Sequence, residues 1–358
     1  MRNKCNFINS HQNIGQKQTK MKNNLTKNTL YENIAGLLQA AQQNVVRTVN
    51  QTMVCTYYEI GRMIVEDEQQ GLVRAEYGIQ LLEDLSRRLI QNFGKGFSIV
   101  NLRQMRAFYL TYSIQQTISA ELKRPKFQLS WSHYLKLMRI VNINERNFYE
   151  IECAANNWSL KELQRQFDTA LYERLALSRD KEGVKQLAEK GQMIEKPLDL
   201  LKDPYILEFL DLPELHHYSE NELETAIIDK LEHFLLELGK GFTFVGRQVR
   251  FTFNEKHYKV DLVFFNRILR CFVVIDLKIG ELTHQDIGQM QMYVNYYDRY
   301  VKLSEENKTI GIILCKDKNQ ALVEITLPED NDSIFASRYQ TILPNKQAFI
   351  KLLNDNNL

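Results

Sequence analysis

Two apolar runs between Tyr258 and Gly280 constrain the fold of this chain more than any other feature, because each of them is interrupted by charge. Short runs rich in Val, Ile and Phe and bounded by polar residues predict β-strands. A charged side chain inside an apolar strand is costly unless it is paired or serves a function. The segment therefore predicts a hairpin with charged residues at one place on its surface.

Three charged residues in this hairpin are candidates for chemistry. Asp276 and Lys278 are two residues apart on the second strand, so they share one face, and Asp261 lies on the first strand. If Asn266 pairs with Cys271 across the loop, Asp261 lies opposite Asp276, whereas a slip of one residue sends them to opposite faces. In the first register the two Cβ atoms are about 5 Å apart. Such a pair of carboxylates suits a hard cation such as Mg²⁺, with Lys278 assisting the attacking water.

The elements around the hairpin alternate between helical and strand patterns. They are a helix at Ser219 to Leu238, strands at Phe244 to Phe253, His257 to Phe265 and Cys271 to Ile279, a helix at Thr283 to Tyr300, and a strand at Thr309 to Cys315. This order predicts an α/β domain with a mixed central sheet.

The first half of the chain has a different pattern, with apolar residues at helical spacing and almost no proline. It predicts an all-α N-terminal domain, so the chain is multidomain. The predicted boundaries are a disordered basic tail at 1–27, the helical domain at 28–178, a charged linker at 179–200 and the α/β domain at 201–358. Met21 is an alternative start for the natural protein.

The totals exclude several classes of protein. The net charge of +2, from 46 basic and 44 acidic residues, is not that of a strongly basic nucleic-acid binder. No apolar run is long enough for a membrane span. The five cysteines are scattered and form no CxxC pair, which predicts neither a disulfide framework nor a zinc site and favours the cytoplasm.

With these residues in place, the second half resembles the PD-(D/E)XK nucleases. Asp261 takes the place of the first Asp of their motif, and Asp276-Leu277-Lys278 takes the place of (D/E)-x-K. Val260 stands where that motif has proline. Gln289 and Tyr293 fit a QxxxY element found after the lysine in some branches, with Gln291 as the competing glutamine.

Longer phrases resemble the YhcG-type branch of this family over residues from about 30 to 345. They include YGIQLLEDLSRRL, LSWSHYLKLMRI, LKDPYILEFL and FLLELGKGFTFVGRQ. The resemblance implies a restriction-endonuclease-like domain that cuts DNA with Mg²⁺, for which Mn²⁺ is a possible substitute. It also implies a helical domain that binds DNA, a partner protein or a second copy of the chain.

The resemblance further implies a set of site residues. Asp261, Asp276, Lys278 and Gln289 would be catalytic. The metal ligands would be Asp261, Asp276, the Leu277 carbonyl and Glu224, with Glu222, Glu232 and Glu237 as alternatives to Glu224. Tyr293, Arg103 and Arg106 would contact substrate.

Two other interpretations stay open at this point. Asp276 and Lys278 also fit an ordinary ion pair at a sheet edge. The chain also fits a catalytically silent DNA-binding or regulatory subunit, or an oligomer held by its helical domain. Cleavage that depends on metal would separate these from a nuclease.

Overall fold

A computed structural model describes residues 5–70, 75–118, 127–177, 179, 181–212, 218–318 and 320–355. The chain forms two compact units, Met1–Arg139 and Ile140–Leu358.

The first unit is helical, as the sequence predicts. Its helices are α1 (Cys5–Gln70), α2 (Ala75–Phe93), α3 (Ile99–Ile118) and α4 (Trp131–Leu137). Helices α1 and α3 pack closely at Gly61, where a side chain would collide with the backbone carbonyl of Met105. An aromatic core that includes Phe108, Phe127 and Tyr134 joins α3 to α4.

Helix α1 begins much earlier than expected. The sequence predicts a disordered tail over 1–27, whereas the backbone is helical from Cys5 onwards. Residues 1–4 of that tail lie outside the described residues. The chain contains no proline before Gln70, and proline is the residue that most strongly interrupts a helix. A helix that includes Tyr31 can therefore extend towards the N-terminus.

The second unit opens with four further helices. They are α5 (Ile143–Asn156), α6 (Leu160–Asp168), α7 (Leu171–Leu177) and α8 (Lys181–Lys190). Helix α8 occupies part of the predicted linker. Its Leu187 and Ala188 are buried, and α8 packs on α5. The charged residues conceal this apolar stripe in the sequence. Residues 178 and 180 lie outside the described part.

The remaining elements form the α/β part of this unit. They are β1 (Tyr205–Ile206), α9 (Glu220–Asp229), α10 (Leu231–Leu238), β2 (Phe242–Phe253), β3 (Lys256–Asn266), β4 (Cys271–Glu281), α11 (His284–Tyr300), β5 (Ile310–Asp317), α12 (Gln320–Thr326), β6 (Ile334–Gln340) and α13 (Lys346–Asp355). The strand order is β1-β6-β5-β4-β3-β2. Strands β2, β3 and β4 are antiparallel, and β4, β5, β6 and β1 are parallel. The predicted mixed sheet is confirmed.

Each face of the sheet is covered by helices. One core includes Leu223 of α9, Phe234 of α10 and Ile275 of β4. The other includes Val274 of β4 and Met290 of α11. Helix α11 lies so close to β5 that a Cβ atom on Gly311 would stand 2.6 Å from the Met290 sulfur. These contacts fix α9 and α11 against the hairpin.

A buried group of charges, here called the arginine cluster, connects the helices α6 and α7 to α10. Its members are Arg165, Arg174, Lys202, Glu208 and Glu237. Arg174 is fully buried, with Nη1 at 2.6 Å from Glu237 Oε1. The same carboxylate accepts from the Ile206 N–H at 3.0 Å, and Lys202 donates to the Glu237 carbonyl.

These contacts explain where the two compact units divide. The predicted domain boundary at 178 stays a prediction; in the structure, α5, α6 and α7 belong to the same compact unit as the sheet. The arginine cluster is one reason. A second is Lys346 of α13, which pairs with Glu145 of α5 and with Glu173 of α7.

No helix among the described residues is both long and apolar enough to cross a membrane.

Candidate active site

The predicted hairpin register is confirmed. Asn266 pairs with Cys271, and Leu262 pairs with Ile275. The regular backbone pairing of β3 with β4 stops at the next residue, Asp261. The Leu277 N–H donates to Asp261 Oδ2 at 2.9 Å, so a side chain takes the place of the strand backbone. The first aspartate therefore lies directly beside the Asp276-Leu277-Lys278 segment.

Asp276 is buried, with only 2% of its surface exposed. Burial, and then the neighbouring Asp261 carboxylate, raise the pKa of Asp276 to about 7. Its Oδ2 atom lies 3.0 Å from Lys278 Nζ, yet it receives no hydrogen bond of good geometry from the described residues. A buried carboxylate with a second carboxylate beside it is stabilised by a further cation.

Lys278 lies among three carboxylates. Besides Asp276, Glu220 and Asp286 approach its Nζ atom at 3.7 and 3.9 Å. Burial alone would lower the pKa of Lys278, but the three acids outweigh burial and raise it above its ordinary value. The side chain is held as an ammonium group.

Glu224 is joined to Asp261 through Gln248, a residue that the sequence analysis did not single out. Gln248 of β2 donates from Nε2 to Glu224 and also lies 3.3 Å from Asp261 Oδ1. Glu224 is buried, and burial raises its pKa. The carboxylate cluster is defined here as Glu224, Asp261 and Asp276 together with Lys278.

Gln248 adopts an unusual backbone conformation, with φ at 48°. A positive φ is strained for a residue with a side chain, and such strain often occurs at functional sites. One signal in the sequence could have found this residue: it is a lone glutamine inside a predicted strand, and the YhcG-type phrase FLLELGKGFTFVGRQ ends on it.

The other three candidate glutamates lie elsewhere. Glu222 caps the start of α9, where it accepts from the Ser219 N–H. Glu232 is exposed, and Glu237 belongs to the arginine cluster. Among the four alternatives, Glu224 is the one whose carboxylate joins Asp261 through Gln248.

Gln289 and Tyr293 contact one another on α11. Gln289 donates to the Tyr293 hydroxyl, and that hydroxyl donates to the Lys259 carbonyl at 2.6 Å. Lys259 is two residues before Asp261 on β3. The pair therefore joins α11 to the strand that carries the first aspartate, whereas Gln291 belongs to a neighbouring cleft.

Arg103 and Arg106 lie on α3 in the first unit. Arg103 is exposed, and Arg106 pairs with Glu68 of α1 at 2.6 Å. Their contact with substrate stays a prediction, as does the binding of DNA, a partner protein or a second copy by the helical domain.

Whether these residues suit a metal ion is a matter of donor chemistry. The described residues contain no group of three or more His, Cys, Asp and Glu side chains arranged so that it could hold a metal ion. They do contain the buried Asp276 carboxylate with Asp261 as a charged neighbour, and Gln248 joins Asp261 to Glu224. Such all-oxygen donors suit Mg²⁺ or Mn²⁺ and do not suit a thiophilic ion.

The fold and the cluster together define a class of protein. The antiparallel strands β2, β3 and β4 are followed by the parallel strand β5, and helices cover both faces of the sheet. Asp261 and the Asp276-Leu277-Lys278 segment lie where the backbone pairing of β3 with β4 stops. This is a restriction-endonuclease-like nuclease domain.

The comparisons with known proteins give the family. Residues 198–354 match the model of the YhcG PDDEXK nuclease domain, and residues 33–174 match that of the DUF1016 N-terminal domain. The chain is 39% identical to YhcG of Escherichia coli (strain K12) over 343 residues, which cover 89% of this chain and 91% of that protein. The chain belongs to the YhcG family of PDDEXK nucleases.

Solved structures give much weaker matches. A repair endonuclease from Pyrococcus abyssi is 17% identical, with 37% of this chain and 50% of that chain covered and a TM-score of 0.24. The EndoMS-dsDNA2 complex is 16% identical, with 34% and 45% covered and a TM-score of 0.23. The matches span about half the length of these relatives, and scores this low support no further conclusion.

Proposed function

We propose that this chain is a Mg²⁺-dependent nuclease that hydrolyses DNA phosphodiester bonds at the carboxylate cluster, with Mn²⁺ as a substitute metal. The observation that carries the proposal is the Asp276 carboxylate. It is buried beside Asp261 and raised in pKa, and one of its oxygens receives no hydrogen bond of good geometry from the described residues. A buried carboxylate of this kind is unfavourable in a protein core unless a bound ligand interacts with it.

Asp261, Asp276 and Glu224 are the side chains that would hold the cation. In an extended strand, the N–H and C=O of one residue point to the same side. Since the Leu277 N–H points to Asp261, the Leu277 carbonyl is the backbone oxygen best placed to join them. A bound cation of this kind activates water for attack and neutralises charge on a phosphate.

Lys278 would act as a fixed positive charge. Three carboxylates lie within 4 Å of its ammonium group, so the group is in place before substrate arrives. A charge that is already oriented stabilises negative charge developing on the phosphate without reorganisation. Gln289 and Tyr293 would position β3 and its Asp261, because the Tyr293 hydroxyl holds the Lys259 carbonyl.

The test uses the purified full chain with supercoiled, linear duplex and single-stranded DNA. Cleavage should occur with Mg²⁺ and stop with a chelator. Asp276→Asn and Lys278→Met should each lower the rate by about 100-fold or more. The control is Lys308→Met, since Lys308 is also a paired lysine but its side chain is 72% exposed.

Metal binding is measured separately, by titration calorimetry with Mn²⁺. A chain that binds metal and DNA without cutting would be a catalytically silent DNA-binding or regulatory protein. Cleavage that survives in both site variants would overturn the assignment of the site.

A further inference from the structure

Two adjoining clefts lie between the β2–β3 hairpin and α11. The first, here called the basic cleft, has a volume of about 820 Å³ and is lined by Arg250, His257 and Lys259. The second, here called the aromatic cleft, has a volume of about 330 Å³ and is lined by Phe253 and Tyr300 among others. Both volumes are in the range of ligand-binding sites. Gly288 and Met292 line both clefts, so the two are continuous.

The charge of these clefts has one sign. Arg250 and Lys259 pair across β2 and β3, and both are exposed. Arg299 adds a further positive charge in the aromatic cleft. Among the described residues that line the two clefts there is no Asp or Glu. The surface is therefore complementary to a chain of phosphates.

A ladder of aromatic rings follows the same path. Phe251 stacks on Tyr258, with centroids 5.5 Å apart and planes at 25°, and on Tyr296, at 3.9 Å and 17°. Tyr296 in turn contacts Tyr300 at 5.3 Å. Tyr300, at the end of the ladder, is 63% exposed, and Phe253, which lines the same cleft, is 49% exposed. Exposed aromatic rings beside basic residues are typical of surfaces on which unpaired bases stack.

The clefts are connected to the candidate active site. Tyr293 is one of the residues that line the basic cleft, and its hydroxyl donates to the Lys259 carbonyl. Lys259 precedes Asp261 by two residues on β3, a distance of roughly 7 Å along a strand. A nucleic-acid strand in the basic cleft would thus lie next to the carboxylate cluster.

We propose that these clefts bind an unpaired segment of the nucleic-acid substrate, with phosphates on Arg250, His257 and Lys259 and a base against Phe253 and Tyr300. The identification of the strand as substrate rests on the proposed nuclease function. A single-stranded end or flap can offer its base to an aromatic ring, whereas the bases of an intact duplex stack on one another. The clefts therefore select a substrate with unpaired nucleotides.

Binding is measured by fluorescence anisotropy on the full chain, with a labelled oligo-dT and a labelled duplex of equal length, and with a chelator present so that nothing is cut. Wild type should bind the single strand more tightly than the duplex. Phe253→Ala and Tyr300→Ala should each weaken binding of the single strand by about tenfold and lower the ratio of the two affinities. Ile325→Ala is the control, because Ile325 is an apolar side chain on α12 that is 85% exposed.

The salt dependence tests the charged residues independently. Lys259→Ala and Arg250→Ala should each reduce the slope of log affinity against log salt by about 0.7, the value for one lost phosphate contact on a single strand. Phe253→Ala should leave that slope unchanged, since stacking releases no counterions. Lys308→Ala is the control for a lysine outside the clefts.

The outcomes separate this inference from the nuclease proposal. Equal losses on single strand and duplex, or no loss in the aromatic variants, would overturn the binding of an unpaired segment even if the chain cuts DNA. If the aromatic variants lose affinity for the single strand selectively but the wild-type chain cuts no DNA, the binding of an unpaired segment is supported and the nuclease proposal is overturned. Failure to bind either oligonucleotide would overturn the clefts as a nucleic-acid site.

Discussion

Two buried carboxylates of the second unit, Glu237 in the arginine cluster and Asp276 in the carboxylate cluster, differ in the charges that surround them. Glu237 in the arginine cluster contacts Arg174, Arg165 and the Ile206 N–H. Burial alone would raise its pKa, but Arg174 and the other cations outweigh burial and lower it to about 2. In the carboxylate cluster, burial and Asp261 raise the pKa of Asp276 to about 7.

This difference indicates which group serves the fold and which serves a ligand. A buried carboxylate whose pKa is lowered by surrounding cations belongs to the structure, and removing one of those cations damages the core. A buried carboxylate whose pKa is raised by burial and by a second carboxylate is retained at the cost of stability, which is expected at a functional site.

The comparison predicts that the arginine cluster dominates stability. Arg174→Ala should lower the free energy of unfolding by about 3–5 kcal/mol, because it leaves Glu237 buried without its main partner. Denaturation with urea, followed by circular dichroism, measures the loss. Lys308→Ala breaks an exposed pair with Asp332 and should cost about 1 kcal/mol or less. Similar losses in the two variants would contradict the structural role of the cluster.

The pH dependence of stability should report the same cluster. Glu237 keeps its charge in the folded chain down to about pH 2, whereas in the unfolded chain it takes up a proton near its ordinary value of 4.5. Its contribution is therefore complete above pH 4.5 and is lost as the pH falls towards 2, by about 2 kcal/mol between pH 7 and pH 3. Urea titrations at several pH values should show a stability difference between wild type and Glu237→Gln that shrinks on acidification. A difference that stays constant would count against the lowered pKa.

Much of the second unit is foreseeable from local pattern. The hairpin, its register and the helix at 284–300 follow from apolar alternation, the polar turn and the Thr283 cap. The placement of Asp261 beside Asp276 follows from that register. These features depend on neighbours in sequence, so one sequence is enough to derive them.

Long-range contacts were not foreseeable in the same way. The bond of Gln248 to Glu224 connects strand β2 to helix α9. The pairing of β1 with β6 joins residues 205 and 339. The charged residues of α8 obscure its apolar periodicity. The contact with Arg174 is what distinguishes Glu237 from Glu224, and it joins two distant helices. None of these contacts leaves a periodic signal.

A substitution of Gln248 tests whether this residue orients the carboxylates of the cluster. It holds Glu224 and Asp261 together without being a proposed metal ligand. Gln248→Ala should weaken Mn²⁺ affinity by about 10–100-fold, as expected when a residue that orients ligands is removed. Titration calorimetry on the full chain measures the affinity, and Gln347→Ala, an exposed glutamine on α13, is the control. Unchanged affinity in Gln248→Ala would separate Gln248 from the metal site.

The smallest expected effect is also the one that separates the two clusters most directly. Without metal, Asp276→Asn should raise the free energy of unfolding by about 0.5–2 kcal/mol at pH 8, as in other sites where function is retained at the cost of stability. The folded chain holds a proton on Asp276 up to about pH 7 and the unfolded chain only to about 3.8, so wild type loses stability as the pH rises from about 3.8 to 7, and the gain in the variant should disappear towards pH 4. Asp332→Asn, with a side chain that is 64% exposed, should show no such gain. Saturating Mg²⁺ should reverse the order of the two proteins, because a cation that binds only folded wild type stabilises it. If Asp276→Asn instead destabilises the chain as Arg174→Ala does, Asp276 is a structural charge and the contrast between the clusters fails.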